Sequence, residues 1–459
     1  MIWPLLTDDQ WFSGHFLFNW AYAMKNYLLL FTLAIAMPAY AQKPSDAPLG
    51  STVFAAPSSA IERLTLDQAW RIAEQANPLL RAAEANMQTV EGQLTDTRGL
   101  LWNNPQIATD QLRRRAPLPS GTTQTFPEWT LGLSQTFEIA GQQGYRRRAA
   151  ELDLDATRES IAEIRRRVRA EVELRFARVL TLQQRIDIER EALKLVEDAA
   201  TAVKKRVAAG EDSRLDGNLA SVEAERSQNQ LTVLNEQLID ARSELAALLQ
   251  LPPTNFPEVS GIIEVTSAGY TLESLLATAA DRAYLRSLDY RERAAQNRLD
   301  LERASVYPDV TVGLTTGRDG PGDARERFNM LSLSVPLPLF KRNAGGIGRA
   351  RTELSQVQIE KEAATRDIQA QVRTLWLRLN SLRTRVTRLS DSVLPKLNEN
   401  QRLSTASYRA GEIGLLQLLV VNRQLLDARR DYLDALAEFV QARIALEQAA
   451  GGSANAGVK

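Results

Sequence analysis

Ile161, Ile164, Val168, Val172, Phe176, Val179, Gln183 and Ile186 recur at spacings of three and four, with Arg, Glu and Asp between them. All but Gln183 are apolar, and a stripe of that period predicts an amphipathic helix packed along a partner in coiled-coil fashion. Neither Gly nor Pro interrupts the chain from Tyr145 to Ala209. At 1.5 Å per residue that helix extends on the order of 100 Å, longer than an ordinary globular domain holds. A counterpart is predicted over Arg349–Ala410, with a kink or break at Pro395, which lacks a backbone donor. Shorter helical patterns cover Leu66–Leu101, Ser213–Gln250, Leu272–Val306 and 415–449. Leu66–Leu101 and Ser213–Gln250 together approach the long helix in length, so two short helices stacked end to end fit beside one long one.

Between these helices the period changes to two. Trp129, Leu131, Leu133, Phe137 and Ile139 alternate with Thr130, Gly132, Ser134 and Thr136, and only Gln135 spoils the apolar face. Val310, Val312 and Leu314 alternate with Thr311, Gly313 and Thr315, and Leu331, Leu333, Val335 and Leu337 with Met330, Ser332 and Ser334. A further strand near Pro105–Arg113 alternates poorly. Strands of about ten residues with one apolar and one small polar face suit a transmembrane barrel. A hairpin in a soluble sandwich fits the alternation equally well. The connections Arg114–Pro127 and Gly317–Arg327 are long and rich in Pro, Gly and charge, whereas the opposite strand ends run into helices. That asymmetry matches the outer and periplasmic sides of a barrel. Four strands cannot close one, so three copies are expected, giving twelve strands.

The pattern is stated twice. LTLDQAWRIAEQANPLL (Leu64–Leu80) is answered by YTLESLLATAADRAYL (Tyr270–Leu285), WNNPQI (Trp102–Ile107) by YPDV (Tyr307–Val310), and VAAGEDSRLD (Val207–Asp216) by YRAGEIGLLQ (Tyr408–Gln417). The offset is about 200 residues, far beyond solenoid repeats. The expected organisation is a first repeat over 61–250, with a hairpin near 104–140, a long helix 144–209 and a helix 213–250. A Pro-rich linker with one small strand follows at 251–270. The second repeat, 271–451, has a hairpin near 308–340, a long helix 349–410 and a helix 415–449, and the tail is 452–459.

Composition narrows the function classes. The 56 basic and 56 acidic residues balance, so bulk charge implies no nucleic acid or other polyanion. The chain has no cysteine and a single histidine, His15, which excludes thiolate chemistry and disulfides. MKNYLLLFTLAIAMPAYAQ (Met24–Gln42) has the charged head, short apolar run and small-x-small site of a secretory signal. Residues 24–41 are therefore expected to be a signal peptide, 42–60 a disordered leader, and 1–23 an upstream extension from a misassigned start. No later stretch is long and apolar enough for a membrane helix, so any crossing is by strands.

These residues carry a resemblance. The LTLDQAW…ANP opening, the WNNPQI and YPDV strand entries, the AGE and YRAGE turns, and LLDARRDYLDALAEFVQARIALEQAAG (Leu425–Gly451) resemble the TolC family of outer-membrane efflux proteins, over about Ile61 to Gly451. Ser134–Glu151 is most similar to its heavy-metal cation branch, the CzcC-like components. The resemblance implies a mixed α/β membrane protein: a homotrimer with a 12-stranded outer-membrane β-barrel, in contact with outer-membrane lipid, and a periplasmic α-helical barrel. It also implies two partners, a periplasmic adaptor and an inner-membrane RND pump.

A conduit needs no catalytic residues, and no enzyme motif, cofactor motif or metal-ligand spacing is present. Without Cys or His beyond His15, soft cations lack their preferred ligands, so transported metal would pass through hydrated. By the resemblance, the turns Val207, Ala208, Ala209, Gly210 and Arg409, Ala410, Gly411 are expected to be periplasmic tips that dock the adaptor. The plain alternative is helix-hairpin turns with no partner. Glu211, Asp212, Asp216 and Glu412 follow the tips, and three-fold symmetry would make any lumen-facing one a cation-favouring ring. Family members often carry Asp six positions after the second turn's Gly. Here that position is Gln417, and Asp216 holds the first-repeat equivalent, so Asp216 and Glu412 are the leading aperture residues. Arg146–Arg148 and Arg165–Arg167 read as salt-bridged helix faces, and Arg113–Arg115 as a solvated run or one meeting lipid phosphates. The expected function is a passive trimeric duct for heavy-metal cations such as Co/Zn/Cd or Cu/Ag. The alternatives are a duct for organic drugs or secreted protein, and a periplasmic coiled-coil structural protein.

Overall fold

The computed structural model describes residues 63–117, 121–262, 271–320 and 325–452. The expected extension, signal segment and leader, residues 118–120 and 321–324 of the two hairpin connections, linker residues 263–270 and tail residues 453–459 lie outside the described residues.

Helix α1 (Leu66–Ala76) opens on a capping box in which Thr65 and Gln68 exchange hydrogen bonds. It ends at Asn77, whose Oδ1 accepts from the amides of Leu79 and Leu80 at 3.0 and 3.3 Å and starts α2 (Pro78–Thr97). The single helix expected over Leu66–Leu101 is therefore two. Asn77 is held extended by the proline after it, which stops one helix and caps the next. Strands β1 (Gln106–Pro117) and β2 (Thr123–Phe137) follow. Then come α3 (Gln142–Ala208), 67 residues without a break, and α4 (Arg214–Leu248).

The second repeat runs in the same order. The stretch Leu272–Val306 also divides, into α5 (Leu272–Ala280) and α6 (Ala283–Ala304), with Arg282 extended between them. After β3 (Val310–Asp319) and β4 (Glu326–Ser334), α7 (Ala344–Arg388) begins five residues before Arg349. The glycine-rich stretch just before the expected start is its first turn. Gly346 is required there because Asn343 donates to the Glu302 carbonyl at 2.9 Å and the Glu302 carboxylate lies where a Cβ would stand. At Pro395 the helix changes hydrogen-bond pattern instead of breaking. A π-helical segment, Leu389–Val393, precedes α8 (Leu394–Arg409), placing the proline in the first turn of α8. The chain ends on α9 (Leu415–Ala450).

The apolar stripe of α3 is the spine of the core. Val172, Phe176 and Val179 are fully buried in one cluster with Leu245 of α4 and Leu436 and Phe439 of α9. A second cluster joins Leu275, Leu288, Ile368, Val372 and Leu446. The linker supplies one bridge, Leu64 beside Val259, closed by Leu64 N to Glu258 O at 2.7 Å and Ser260 N to Leu64 O at 3.0 Å.

Candidate membrane sheet and tunnel tips

The four strands form one antiparallel sheet in the order β1-β2-β3-β4. Its register places Ile107 opposite Leu133, Leu133 opposite Leu314, and Leu314 opposite Leu331. One apolar row thus crosses the whole sheet, and its members are 74%, 49%, 59% and 72% exposed in the single chain. Water strongly disfavours so continuous an exposed apolar face. Gln135, which spoils the pattern in sequence, turns its amide back to donate to the carbonyls of Asn103 and Thr136 at 2.7 and 2.9 Å. The opposite face is small and polar at its centre, where Ser134, Gly313 and Ser332 stand in one row and the hydroxyls of Thr136 and Thr311 meet at 2.9 Å, and it carries Met330 and Phe328 farther along. The poorly alternating first strand is now placed by its partners, with Arg114 bridging to Glu128 at 2.9 Å on the small polar face. The run Arg113–Arg115 lies within β1, not past its end. Strands β1 and β4 leave their outer edges unpaired among the described residues. In lipid those edges must find partner strands.

The two turns are copies of one another. Glu211 N donates to Arg206 O at 2.9 Å and Gly210 N to Val207 O at 3.1 Å; Glu412 N donates to Ser407 O at 2.9 Å and Gly411 N to Tyr408 O at 3.1 Å. Both are Schellman endings with glycine in the left-handed conformation, φ 80° and 74°. The structure brings the two ends together: Val207, Tyr408 and Leu419 pack on buried Val203 and Ala220. Ala208, Ala209, Gly210, Arg409, Ala410 and Gly411 are exposed.

The four carboxylates differ in surroundings. Asp212 and Glu211 both face Arg206, at 3.2 and 3.6 Å, and the Arg206 guanidinium lies 6.0 Å from the Tyr408 ring. Asp216 closes the capping box of α4, accepting from Ser213 Oγ at 2.6 Å. Glu412 is exposed and has no ion pair among the described residues. Sequence reasoning missed the apolar positions just beyond each turn: Leu215 and Leu219 on α4, and their repeat equivalents Leu416 and Val420 on α9, are exposed. The signal was there, since large apolar residues recur at i and i+4 at the same distance from each glycine.

Sequence reasoning also missed three ion pairs on buried carboxylates that join α3 to the second repeat. Arg282 meets Glu163 at 2.5 Å, Arg443 meets Glu173 at 2.7 Å, and Arg430 grips Glu189 through two contacts at 2.5 and 2.8 Å. Burial pushes the Glu173 carboxyl above its ordinary range, against the opposing pull of Arg443. The runs Arg146–Arg148 and Arg165–Arg167 sit on helix faces, where Arg146 pairs with Glu138 at 2.8 Å, Arg147 with Glu151 and Arg165 with Glu84, both at 3.1 Å. Among the described residues no group of acidic, His or Cys side chains could hold a metal ion, and no helix is long and apolar enough to cross a membrane.

Comparison with known proteins agrees with this architecture. Among curated relatives, the cobalt-zinc-cadmium resistance protein CzcC of Cupriavidus metallidurans is 28% identical over 93% of this chain and 100% of its own length. The nickel-cobalt-cadmium resistance protein NccC of Alcaligenes xylosoxydans is 25% identical over 64% of this chain and 67% of its own. The pyoverdine export outer membrane protein OpmQ of Pseudomonas putida is 25% identical over 92% and 93%. A membrane protein from Pseudomonas aeruginosa superimposes with a TM-score of 0.71 at 19% identity, and the channel CusC with 0.69 at 18%. Each covers 84% of this chain and 92% of its own. The family model for the outer membrane efflux protein matches residues 70–250 and 276–452, one stretch in each repeat. The chain therefore belongs to the outer membrane efflux protein family.

Proposed function

We propose that this chain is the outer-membrane duct of a tripartite system that exports heavy-metal cations, working as a homotrimer with a periplasmic adaptor and an inner-membrane RND pump. The observation that carries the cargo is the match to CzcC, which runs the full length of that relative and is more extensive than the match to NccC. The trimer follows from the sheet: four strands with two open edges need partners in lipid, and three copies supply twelve strands. The exposed apolar row then faces lipid, while the row of Ser134, Gly313 and Ser332 faces a hydrated lumen.

In this reading the duct catalyses nothing and binds no cofactor; it supplies a wet path. The turns Val207–Gly210 and Arg409–Gly411 dock the adaptor, with Leu215, Leu219, Leu416 and Val420 adding apolar contact area beside them. Asp216, Glu412, Glu211 and Asp212 line the periplasmic aperture. Arg206 neutralises much of the charge of Glu211 and Asp212, leaving Glu412 and Asp216 as the main cation-attracting groups. The match to the pyoverdine export protein OpmQ over 92% of the chain favours one alternative, a duct for an organic compound.

The test is deletion of the gene with the partner pump expressed. Lowered tolerance to cobalt, zinc, cadmium, copper or silver, restored by the intact chain, is expected. Unchanged tolerance to every metal, with impaired export of an organic compound, would replace the cation reading.

A further inference from the structure

A cavity of about 190 Å³ lies between the two helical hairpins, bounded by α3, α4, α8 and α9. Its wall is apolar on the α3 side, where Leu195 and Val196 line it with Leu426 of α9, and Leu195 is half exposed. Its charged lining is unbalanced: Arg226, Arg423, Arg429 and Arg430 against the single acid Glu223.

These charges are unequally satisfied. Arg430 is held by Glu189 and Asp427, and Arg429 by Asn398 at 3.2 Å and, loosely, Glu191 at 3.6 Å. Arg226 has Glu223 at 4.0 Å, and exposed Arg423 has no ion pair among the described residues. A hydrated metal cation is repelled by that arginine rim. An anion with an apolar body satisfies it, because the body covers Leu195 and the head sits between Arg423 and Arg226.

We infer that this cavity is a binding site for a small amphipathic anion, a carboxylate or sulfonate on an aromatic or short aliphatic body. The inference is independent of the duct's cargo. An occupant touches both hairpins, so it ties the α3–α4 pair to the α8–α9 pair.

The test uses the purified full chain in a neutral detergent. Naphthalene-1-sulfonate is titrated by calorimetry, with naphthyl-trimethylammonium as the cationic counterpart of similar size. Saturable binding of the sulfonate and none of the cation is expected. Arg423→Glu, an exposed position, should weaken binding about tenfold or more through charge reversal alone. Ala192→Trp, which fills the cavity, should abolish binding. Equal binding of both probes, or a sulfonate affinity untouched by both substitutions, would overturn the assignment. So would failure of the native chain to bind together with loss of oligomer in Ala192→Trp, since a second copy would then be the occupant.

Discussion

Leu331 and Met330 are neighbours on β4 that face opposite sides of the sheet, Leu331 in the apolar row opposite Leu314 and Met330 opposite Thr315. Both are exposed in the single chain, at 72% and 49%, so neither owes its place to packing within the protomer. Arginine at each position therefore reads the solvent on that side. Leu331 is the sixth of nine residues in β4, close to mid-strand. A charge there, facing lipid near the midplane, costs about 2–4 kcal/mol per chain. That is roughly one and a half to three orders of magnitude in the folded fraction, multiplied across a trimer. Met330→Arg faces the lumen and should change stability by no more than about 0.5 kcal/mol. The assay is urea titration of the chain refolded into lipid vesicles, with protease protection reporting insertion. If the sheet were a soluble hairpin, Leu331→Arg would replace an exposed leucine in water and be neutral or mildly favourable. Equal effects of the two substitutions would refute the membrane assignment.

Glu173→Gln should cost about 3–5 kcal/mol by leaving Arg443 buried without its main partner. Arg165→Ala, which breaks the exposed pair with Glu84, should cost at most about 1 kcal/mol. Denaturant midpoints compare the two. Asp153, buried beside Arg298, holds its proton more tightly than its ordinary value of 3.8 because desolvation outweighs the arginine. Its contribution to stability is therefore greatest below pH 3.8 and is lost as pH rises through the raised value. The midpoint difference between native chain and Asp153→Asn should show that slope; a flat difference would contradict it. Gly411→Ala meets no atom within 4 Å, so its cost is the left-handed backbone alone, about 1–2 kcal/mol. Hydrogen exchange at Glu412 should rise while the core around Phe176 stays protected.

The long helix was legible because its stripe is local: Val168, Val172, Phe176 and Val179 announce their period without any partner. The strand faces were legible for the same reason wherever apolar and small residues alternate strictly. β1 was not, because Arg113, Arg114 and Arg115 break the alternation and only pairing with β2 restores its register. The break at Asn77 depended on a cap that sequence periodicity runs straight through. The early start of α7 was hidden by its glycines, of which Gly346 alone is fixed by close approach to Glu302. Tip carboxylates stood out in the sequence, but their partners did not. Arg206 precedes Glu211 and Asp212 by about one and a half helical turns and meets them only because the Schellman turn folds the chain back.

The buried pairs bear on how two nearly alike repeats find one register. An apolar stripe repeating about every seven residues tolerates a slip of one heptad, about 10 Å along the axis. Glu163, Glu173 and Glu189 do not tolerate it, because each meets an arginine of the second repeat at one axial position. A slip strands three buried carboxylates and their arginines, at several kcal/mol each. Such pairs add little net stability over apolar residues of similar volume, so their effect is on uniqueness. Replacing Glu173, Arg443 and Glu447 together by Met should leave the denaturation midpoint within about 1–2 kcal/mol of the native chain. Adding Glu163→Met, Arg282→Met, Glu189→Met and Arg430→Met, so that all three pairs are gone, should broaden the distances between spin labels placed at Glu191 on α3 and Arg423 on α9, as slipped registers become populated. A single sharp distance with all three pairs removed would show that packing alone sets the register, and the keying role of the pairs would fall.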